Sequence, residues 1–308
     1  MKIVFMGTPE FAVPCIKKII SDGHDVLGVF TQPDKPKGRG YKLTPPPVKV
    51  SATENNIPVY QPSTLKDGEA LNILKTLNPQ LIIVVAYGKI LPKDILDLPQ
   101  YGCVNIHASV LPKYRGAAPI QWSVINGDKQ TGVTSMYMEQ GLDTGDMLIT
   151  EIVEIGENET AGELHDRLSI LGADVLSQTI IKIKNGELIR KKQDDSLSTY
   201  SPMLDKSLCP INWNESAQTI HNKIRGLSPW PVATANFGDK ILKIHSSVLV
   251  DGFYSKPGEV ILSDNRLIVC CGDEKCIEIL QIQAQGSKRM SAQDFLRGHK
   301  IEKGTLLK

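Results

Sequence analysis

Several features typical of common protein classes are missing from this 308-residue chain. Its six cysteines form neither a CxxC pair nor a partnered Cys/His spacing, so a structural zinc site is not predicted. The starting sequence MKIVFMGTPEF lacks the basic start and longer apolar stretch of a signal peptide. No apolar run approaches the length of a membrane span. We therefore expect a cytoplasmic protein with reduced thiols.

Glycine-rich phosphate-binding loops are also missing. The turn after the first predicted strand reads GTPEF, without the second and third glycines that let a backbone approach a pyrophosphate. Glu10 would place negative charge near the helix terminus where the phosphates would lie. The later run KGRG is not followed by Gly-Lys-Ser or Gly-Lys-Thr, so it is not a P-loop. Dinucleotide binding is therefore not predicted.

The charge of the chain is small in total but unevenly distributed. The formal net charge is +1, whereas residues 31–49 carry five basic side chains and one acid, and residues 284–308 carry six and two. Each segment is thus +4, and the remainder of the chain is 1 − 8 = −7. Two concentrated basic segments predict an acidic partner. The alternative is that both are solvated surface segments.

Short apolar segments alternate with helical patterns in the first two thirds of the chain. Strands are predicted at residues 2–6, 24–30, near 59, 81–86, 101–106 and 133–138. Helices are predicted at residues 10–21, 48–54, 68–77, from near 117, and at 161–185. This alternation predicts an α/β domain, with a doubly wound, mostly parallel sheet covered on both faces.

The pattern changes after residue 189. Residues 190–207 are largely polar and charged, which predicts a linker between a first domain of residues 1–189 and a second of residues 208–308. In the second domain a short helix at residues 217–225 precedes five predicted strands, at 233–237, 241–250, 258–262, 267–271 and 276–284. Short strands broken by turns predict a small barrel or sandwich.

Three polar residues are predicted to meet at the carboxyl ends of the strands, where open parallel sheets bind ligands. Asn105 and His107 are two apart on one strand, so their side chains point to the same side. Asp143 follows the next strand, in the run GLDTGD. Asn can donate to an oxyanion, His can supply a proton or charge, and a carboxylate can orient the His. The alternative for His107 is a structural histidine at a strand end.

The same residues limit the type of reaction. No Ser, Thr or Cys is obviously paired with His107, so we expect direct attack by a substrate nucleophile rather than an acyl-enzyme. Asp143 and Asp146 could together hold a metal ion, but two carboxylates without further ligands do not predict a metal site.

Six segments resemble the methionyl-tRNA formyltransferase family, and together they span essentially the whole chain: GTPEFA, TQPDKPKGRG, AYGKILP, NIHASVLPKYRGAAPIQW, GLDTGDM and GLSPWP. The Asn-x-His and LDTGD elements are shared with other folate-dependent formyltransferases. The basic segment and the second domain, which contains GLSPWP, narrow the resemblance from folate-dependent formyltransferases in general to the methionyl-tRNA formyltransferase family.

The resemblance implies transfer of the formyl group of 10-formyltetrahydrofolate to the α-amino group of methionine on initiator tRNA, without a metal. It implies a formyltransferase-type Rossmann-like domain, followed by a barrel of OB type whose basic face contacts tRNA. The implied catalytic residues are Asn105, His107 and Asp143. The implied folate contacts are Ser109, Val110, Leu111, Pro112, Ala86, Tyr87, Gly88 and Leu91. The tRNA contacts that we expect are Arg39, Lys37, Lys42, Lys288 and Arg289.

Three alternatives remain at this stage. A folate-dependent formyltransferase acting on a small amine, such as an amino sugar nucleotide, would use the same three residues. It would not need the basic segment and the second domain. A formyltetrahydrofolate hydrolase would replace the amine with water. A noncatalytic RNA-binding protein would use only the basic surfaces. Nothing in the sequence demands a partner chain, so we expect a monomer.

Overall fold

Two compact units make up the part of the chain that a computed structural model describes, which comprises residues 1–37, 41–251 and 255–308. The first unit contains Met1–Gly116, Gly132–Val153 and His165–Tyr200, and the second contains Ala117–Thr131, Glu154–Leu164 and Ser201–Lys308. The chain therefore passes between the units several times. The sequence had predicted a single change of domain, within residues 190–207.

The described residues form the following strands, in chain order: β1 (Lys2–Gly7), β2 (Asp25–Phe30), β3 (Lys35–Lys37), β4 (Lys42–Thr44), β5 (Val59–Tyr60), β6 (Leu81–Val85), β7 (Cys103–His107), β8 (Arg115–Gly116), β9 (Gln130–Tyr137), β10 (Met147–Glu154), β11 (Tyr200–Ser201), β12 (Ala233–Phe237), β13 (Lys240–Val250), β14 (Val260–Leu262), β15 (Leu267–Cys270), β16 (Cys276–Ala284) and β17 (Met290–Ser291).

The α-helices of the same part of the chain are α1 (Val13–Ser21), α2 (Pro47–Glu54), α3 (Glu69–Leu77), α4 (Lys93–Leu96), α5 (Pro119–Ile125), α6 (Ala161–Asn185), α7 (Ala217–Gly226) and α8 (Ala292–Gly298). Short 3-10 helices lie at Glu10–Ala12, Asp195–Leu197 and Lys206–Leu208. None of these helices has both the length and the apolar character needed to span a membrane.

A seven-stranded sheet forms the centre of the first unit, in the spatial order β10-β9-β7-β6-β1-β2-β5. β1 pairs in parallel with β2 and β6, β6 pairs in parallel with β7, and β2 with β5. Every residue of β6 is buried, which is typical of a parallel strand covered on both faces. The predicted α/β class and mostly parallel sheet are confirmed.

The two faces of this sheet are covered by different helices. Cys103 of β7 belongs to the cluster formed with Leu74 of α3 and Ile95 of α4. Ile106 points to the opposite face, which α6 covers. A Cβ atom added at Gly172 of α6 would lie 3.2 Å from the Cγ2 atom of Ile106. Because side chains alternate along a strand, Asn105 and His107 lie on the Cys103 face.

One end of the sheet departs from the prediction. β9 runs antiparallel to β7, and β10 follows it at the edge. The apolar pattern of the sequence predicts β9 but not β10, in which buried and exposed positions mix and two glutamates occur. It also missed the antiparallel hairpin of β3 and β4, and helices α4 and α8. All of these elements are short or partly exposed, so their apolar pattern is weak.

The second unit is built on an antiparallel sheet in the order β12-β13-β16-β15-β14, with β17 paired to β16. The register of β13 against β16 shifts between Ile244 and Ser247, an irregularity that bends a strand. Ile220 and Ile224 of α7 pack in the core of this unit with Ile244 and Ile277. The sheet therefore curls around the core that α7 helps to fill.

The C-terminal tail connects the two edge strands of this curled sheet. Lys308 and Asn236 of β12 exchange both main-chain hydrogen bonds, at 2.5 and 3.0 Å. The N–H of Val260 in β14 donates to the carbonyl of Thr305 at 2.8 Å, and Leu307 N–H donates to Gly258 at 2.8 Å. The tail thus joins β12 to β14, and the predicted small barrel is confirmed as a curled, tail-bridged sheet of OB type.

All six cysteines lie in the described part of the chain, where they are buried and none forms a disulfide. Burial raises the pKa of Cys15 to about 12. Burial, with a smaller contribution from the charge of Asp97, raises the pKa of Cys103 to about 12. A thiol nucleophile needs a lowered pKa and access to solvent, so Cys103 is a packing residue despite its place on the strand of the candidate site.

We expect iodoacetamide at about pH 8 to label none of the six thiols of the folded protein within minutes, because all six are buried and burial raises the pKa of Cys15 and Cys103. After unfolding in denaturant, all six should react. Mass spectrometry of the intact protein gives both numbers. Fast labelling of Cys103 in the folded protein would show that this thiol is accessible and would contradict the packing role.

Candidate active site

Strand β7 presents Asn105 and His107 at its carboxyl end. In the register with its neighbours, Asn105 is opposite Val84 of β6 and Met136 of β9, and His107 is opposite Thr134 of β9. The His107 residue is 6% exposed, and Asn105 is half-buried. The strand therefore holds a polar pair in an environment with little water, where a directed hydrogen bond or charge is strong.

The orientation of the His107 ring is set by the main chain of the following loop. Its Nε2 atom lies 2.8 Å from the carbonyl oxygen of Tyr114. A carbonyl only accepts hydrogen bonds, so Nε2 carries a hydrogen and donates it. Nδ1 faces the Asp143 carboxylate, with 3.6 Å between Nδ1 and Oδ2. This separation is longer than a hydrogen bond. The interaction between the two groups is therefore an electrostatic attraction, which requires a protonated imidazole.

The Asp143 carboxylate lies between three groups of the first unit. Its Oδ2 accepts the main-chain N–H of Gly116 at 2.9 Å and faces His107, and its Oδ1 is 3.5 Å from the Nδ2 donor of Asn105. The Asp143 side chain is 12% exposed. The structure thus brings together the three residues that the sequence predicted. It adds two main-chain partners that the sequence pattern did not reveal, Gly116 for Asp143 and Tyr114 for His107.

The loop that carries Asp143 is tightly closed. Tyr137 N–H at the end of β9 donates to Asp146 O at 2.9 Å. A Cβ at Gly145 would lie only 1.9 Å from the Tyr137 carbonyl oxygen, so the close approach of the two chains requires glycine. Asp143 itself adopts a left-handed φ of 53°, which Asp tolerates better than most residues. This geometry fixes the main-chain position from which the Asp143 side chain extends.

Asp146, the other carboxylate of the GLDTGD run, has a different role. Its Oδ2 accepts a hydrogen bond from Arg190 Nε at 3.0 Å, and the Arg190 guanidinium lies 4.4 Å from the centre of the Tyr137 ring. Asp146 is therefore held in an ion pair at the base of the loop. Among residues 1–37, 41–251 and 255–308, no group of three or more His, Cys, Asp or Glu could hold a metal ion.

The arrangement suits addition of a nucleophile to a carbonyl group. A carboxamide N–H and an imidazole lie side by side, where they can stabilise negative charge on oxygen. A carboxylate next to the imidazole can support its charged form and accept a proton.

Comparison with known proteins identifies the family. Residues 1–180 match the family model for formyl transferases, and residues 203–300 match that of the formyl transferase C-terminal domain. A methionyl-tRNA formyltransferase from Alkaliphilus oremlandii is 52% identical over 308 residues, covering 100% of this chain and 99% of that protein. One from Clostridium novyi is 53% identical over 311 residues, with 100% of both chains covered. The chain belongs to the methionyl-tRNA formyltransferase family.

The solved structures show the same fold at greater distance. The N-formyltransferase from Helicobacter canadensis, in complex with folinic acid and dTDP-3-aminofucose, superposes with a TM-score of 0.70 at 21% identity. The match covers 91% of this chain and 98% of that one. At this identity the likeness concerns the fold.

The predicted folate loop of this methionyl-tRNA formyltransferase family member, residues 109–112, is attached to β9 by Thr134. The Thr134 hydroxyl donates to Ser109 O at 2.8 Å and accepts the Leu111 N–H at 3.3 Å. The Ser109 hydroxyl donates to Lys113 O at 2.6 Å, and the Leu111 side chain packs with Met136 and Met147. The Ser109 and Leu111 side chains are thus turned inward.

The other predicted folate segment, residues 86–91, begins immediately after β6. Ala86 and Gly88 are exposed and have left-handed φ values of 47° and 79°. Between them, the Tyr87 carbonyl accepts hydrogen bonds from the Thr8 hydroxyl and the Gln32 amide, both at 3.1 Å. The Tyr87 and Leu91 side chains are buried in the core cluster. The accessible parts of this segment are therefore the main chain at Ala86 and Gly88 and the exposed side chain of Ile90.

The first basic segment contains the hairpin of β3 and β4, in which Lys42 is exposed. Arg39 lies outside the described residues, as does the side chain of Lys37. Lys49 forms a salt bridge of 2.8 Å with Asp34 at the base of the hairpin, and this contact lowers the pKa of Asp34. The charge of Lys49 is therefore paired with an acid of the protein itself. The exposed position of Lys42 is compatible with an external partner.

A cavity of about 600 Å³ lies beside this hairpin. Thr8 and Gln32, which hold the Tyr87 carbonyl, line one part of it, and Thr44 and Pro45 line another. The hairpin therefore borders a cavity at the carboxyl ends of β1 and β2, and two residues that line this cavity also hold the predicted folate segment.

The two predicted tRNA contacts of the second unit, Lys288 and Arg289, are exposed in the turn between β16 and β17. The Nε of Arg289 donates to the Gln281 side chain of β16 at 2.5 Å. Arg289 is thus oriented by the sheet of its own unit while its charge remains accessible.

Proposed function

We propose that this protein transfers the formyl group of 10-formyltetrahydrofolate to the α-amino group of methionine carried by initiator tRNA. The observation that carries the proposal is the convergence of Asn105, His107 and Asp143 at the carboxyl end of β7. It is supported by the family assignment, which covers the whole chain rather than the catalytic unit alone.

The reaction requires attack of the neutral amine on the formyl carbon. A C–N bond to methionine forms, the carbonyl oxygen becomes negatively charged, and the C–N10 bond to the folate then breaks. The amine loses a proton, and N10 of the departing folate gains one. Catalysis therefore needs donors for the oxyanion and a group that relays a proton.

Asn105 and His107 supply the first requirement. Their side chains lie on the same face at successive outward positions of β7, so a carbonyl oxygen placed above the strand meets both. The Nδ2 of Asn105 donates a hydrogen bond, and the protonated imidazole adds positive charge. Loss of one such donor lowers a rate by about 100-fold or more.

Asp143 supplies the second requirement together with His107. Its carboxylate faces Nδ1 of the ring at 3.6 Å, while Nε2 is engaged with Tyr114. Nδ1 is thus the ring position at which a proton passes, and Asp143 supports the charged ring and accepts a proton from the attacking amine. The Gly116 N–H keeps the carboxylate in place during these steps.

We place the folate against residues 109–112 and 86–91. The inward direction of Ser109 and Leu111 and the exposure of Ala86 and Gly88 favour recognition through main-chain N–H and C=O groups, with Val110 and Pro112 as partly exposed side chains. Such groups fit a flat heterocycle with several donors and acceptors. When bound, the folate supplies an activated formyl group.

We assign tRNA binding to the two basic segments. Lys37, Arg39 and Lys42 of the hairpin segment would contact the acceptor end, next to the cavity that the hairpin borders. Lys288 and Arg289 would contact the tRNA backbone from the second unit. Each Lys or Arg that neutralises a phosphate contributes to a binding strength that falls with salt. We also infer that the protein is a cytoplasmic monomer, which agrees with a function in translation initiation.

One assay tests the substrate assignment. The protein is incubated with 10-formyltetrahydrofolate and either methionyl initiator tRNA or dTDP-3-aminofucose, and the products are identified by mass spectrometry after deacylation of the tRNA. We expect formyl-methionine from the tRNA. Formylation of the amino sugar alone, or release of free formate without a formylated amine, would contradict the proposal.

The basic hairpin segment can be tested separately. Arg39→Ala should raise the KM for methionyl-tRNA by about tenfold, because a phosphate contact is lost, and change the dissociation constant for the folate by less than about twofold. Steady-state kinetics and fluorescence titration give the two values. Lys184→Ala is a matched control that also removes one basic side chain. Lys184 lies near enough to His24 to influence its charge, and His24 precedes β2 at the end of the strands opposite to the hairpin. Equal weakening of folate and tRNA binding by Arg39→Ala would contradict the assignment.

A further inference from the structure

Gln193 is an unexpectedly buried residue in a segment that the sequence predicted to be a linker. It is 6% exposed, although the neighbouring residues of the segment are exposed. It belongs to the first unit, which also contains the loop of Asp143. A buried carboxamide needs hydrogen-bond partners for both of its ends, and those partners indicate what the side chain does.

Every hydrogen-bonding position of the Gln193 side chain is used. Its Nε2 donates to the carbonyl oxygens of Asp143 and Gly145, both at 2.8 Å. Its Oε1 accepts from Nε and Nη2 of Arg115, at 3.0 and 2.8 Å. Carbonyls only accept and a guanidinium only donates, so the orientation of the amide is unambiguous. Gln193 therefore joins the Asp143 loop to Arg115.

The contact with Arg115 completes a ring of interactions around Asp143. The residue after Arg115 is Gly116, whose N–H donates to Oδ2 of Asp143 at 2.9 Å. Gln193 thus fixes the main chain of Asp143 on one side. On the other side, it fixes the strand that holds the Asp143 carboxylate. One amide side chain therefore contacts both determinants of the carboxylate position, while Asp195 also supports Arg115 through an ion pair of 2.7 Å.

The segment itself does not need this amide to stay attached. Lys191 and Met147 exchange two main-chain hydrogen bonds of 2.9 Å, and Arg190 is bound to Asp146. The Nε2 bonds of Gln193 act on the loop that contains a left-handed Asp143, the conformation most in need of support.

We propose that Gln193 is a positioning residue for Asp143: it sets the distance of the carboxylate from His107 and thereby controls the rate of formyl transfer without touching either substrate. This rests on the proposed function. A displacement of the carboxylate by about 1 Å is enough to lower a rate by up to about 100-fold.

Gln193→Glu is the decisive variant, because it keeps the shape and the acceptor for Arg115 but removes both N–H donors. A carboxylate oxygen would then face the carbonyls of Asp143 and Gly145 and push the loop away. We expect kcat for methionyl-tRNA formylation to fall about 10- to 100-fold, with both KM values within about twofold of the unchanged protein. Gln218→Glu, an exposed glutamine of α7 that donates to Asn222, is the matched control and should leave kcat unchanged.

Gln193→Met provides a second, uncharged test that removes the same donors without adding charge. It should lower kcat in the same way, with a melting temperature within about 5 °C of the unchanged protein. The proposal would be overturned if both variants fold and keep kcat within about twofold of the unchanged protein. A rise in KM without a fall in kcat, or the failure of both variants to fold, would overturn it as well. The unchanged protein is assayed in parallel. Its inactivity would refute the proposed function, whereas a loss confined to the variants supports the role of Gln193.

Discussion

The position of the Asp143 carboxylate is the constraint on which the rest of the site depends. It lies 3.6 Å from Nδ1 of His107, while Gly116 holds it through a main-chain N–H at 2.9 Å. The Coulombic attraction between a carboxylate and an imidazolium is strong in a mostly buried site and decreases with distance. A small movement of Asp143 would therefore change both the charge available to stabilise an oxyanion and the route of a proton.

The fold supports this constraint from several directions. Strand β7, which pairs in parallel with β6, carries Asn105 and His107, and antiparallel β9 leads into the loop of Asp143. The close approach of Gly145 to Tyr137 closes that loop, and the segment containing Arg190 and Gln193 covers it. A rigid sheet thus provides one catalytic pair. A short loop held by later parts of the chain provides the third member, as expected for a preorganised site.

The catalytic triplet was predictable from the sequence because two simple rules locate it. Period-2 alternation places Asn105 and His107 on one face, and the carboxyl ends of neighbouring strands bring Asp143 near. Gln193 and Gly116 were not predictable in this way. Gln193 acts through a side chain that is 50 residues from Asp143 in the sequence, and Gly116 acts through a main-chain N–H that any non-proline residue would possess. The charged segment around Gln193 predicted a linker because its composition does not reveal tertiary contacts.

The role of the Asp143 carboxylate can be measured as the single-turnover rate of formyl transfer in Asp143→Asn, with saturating 10-formyltetrahydrofolate and methionyl initiator tRNA. This substitution preserves the size of the side chain but removes the negative charge that faces His107. We expect a rate lower by about 100-fold or more, with both substrates bound as before. A rate within about threefold of that of the unchanged protein would contradict this role, because transfer would then not depend on the carboxylate.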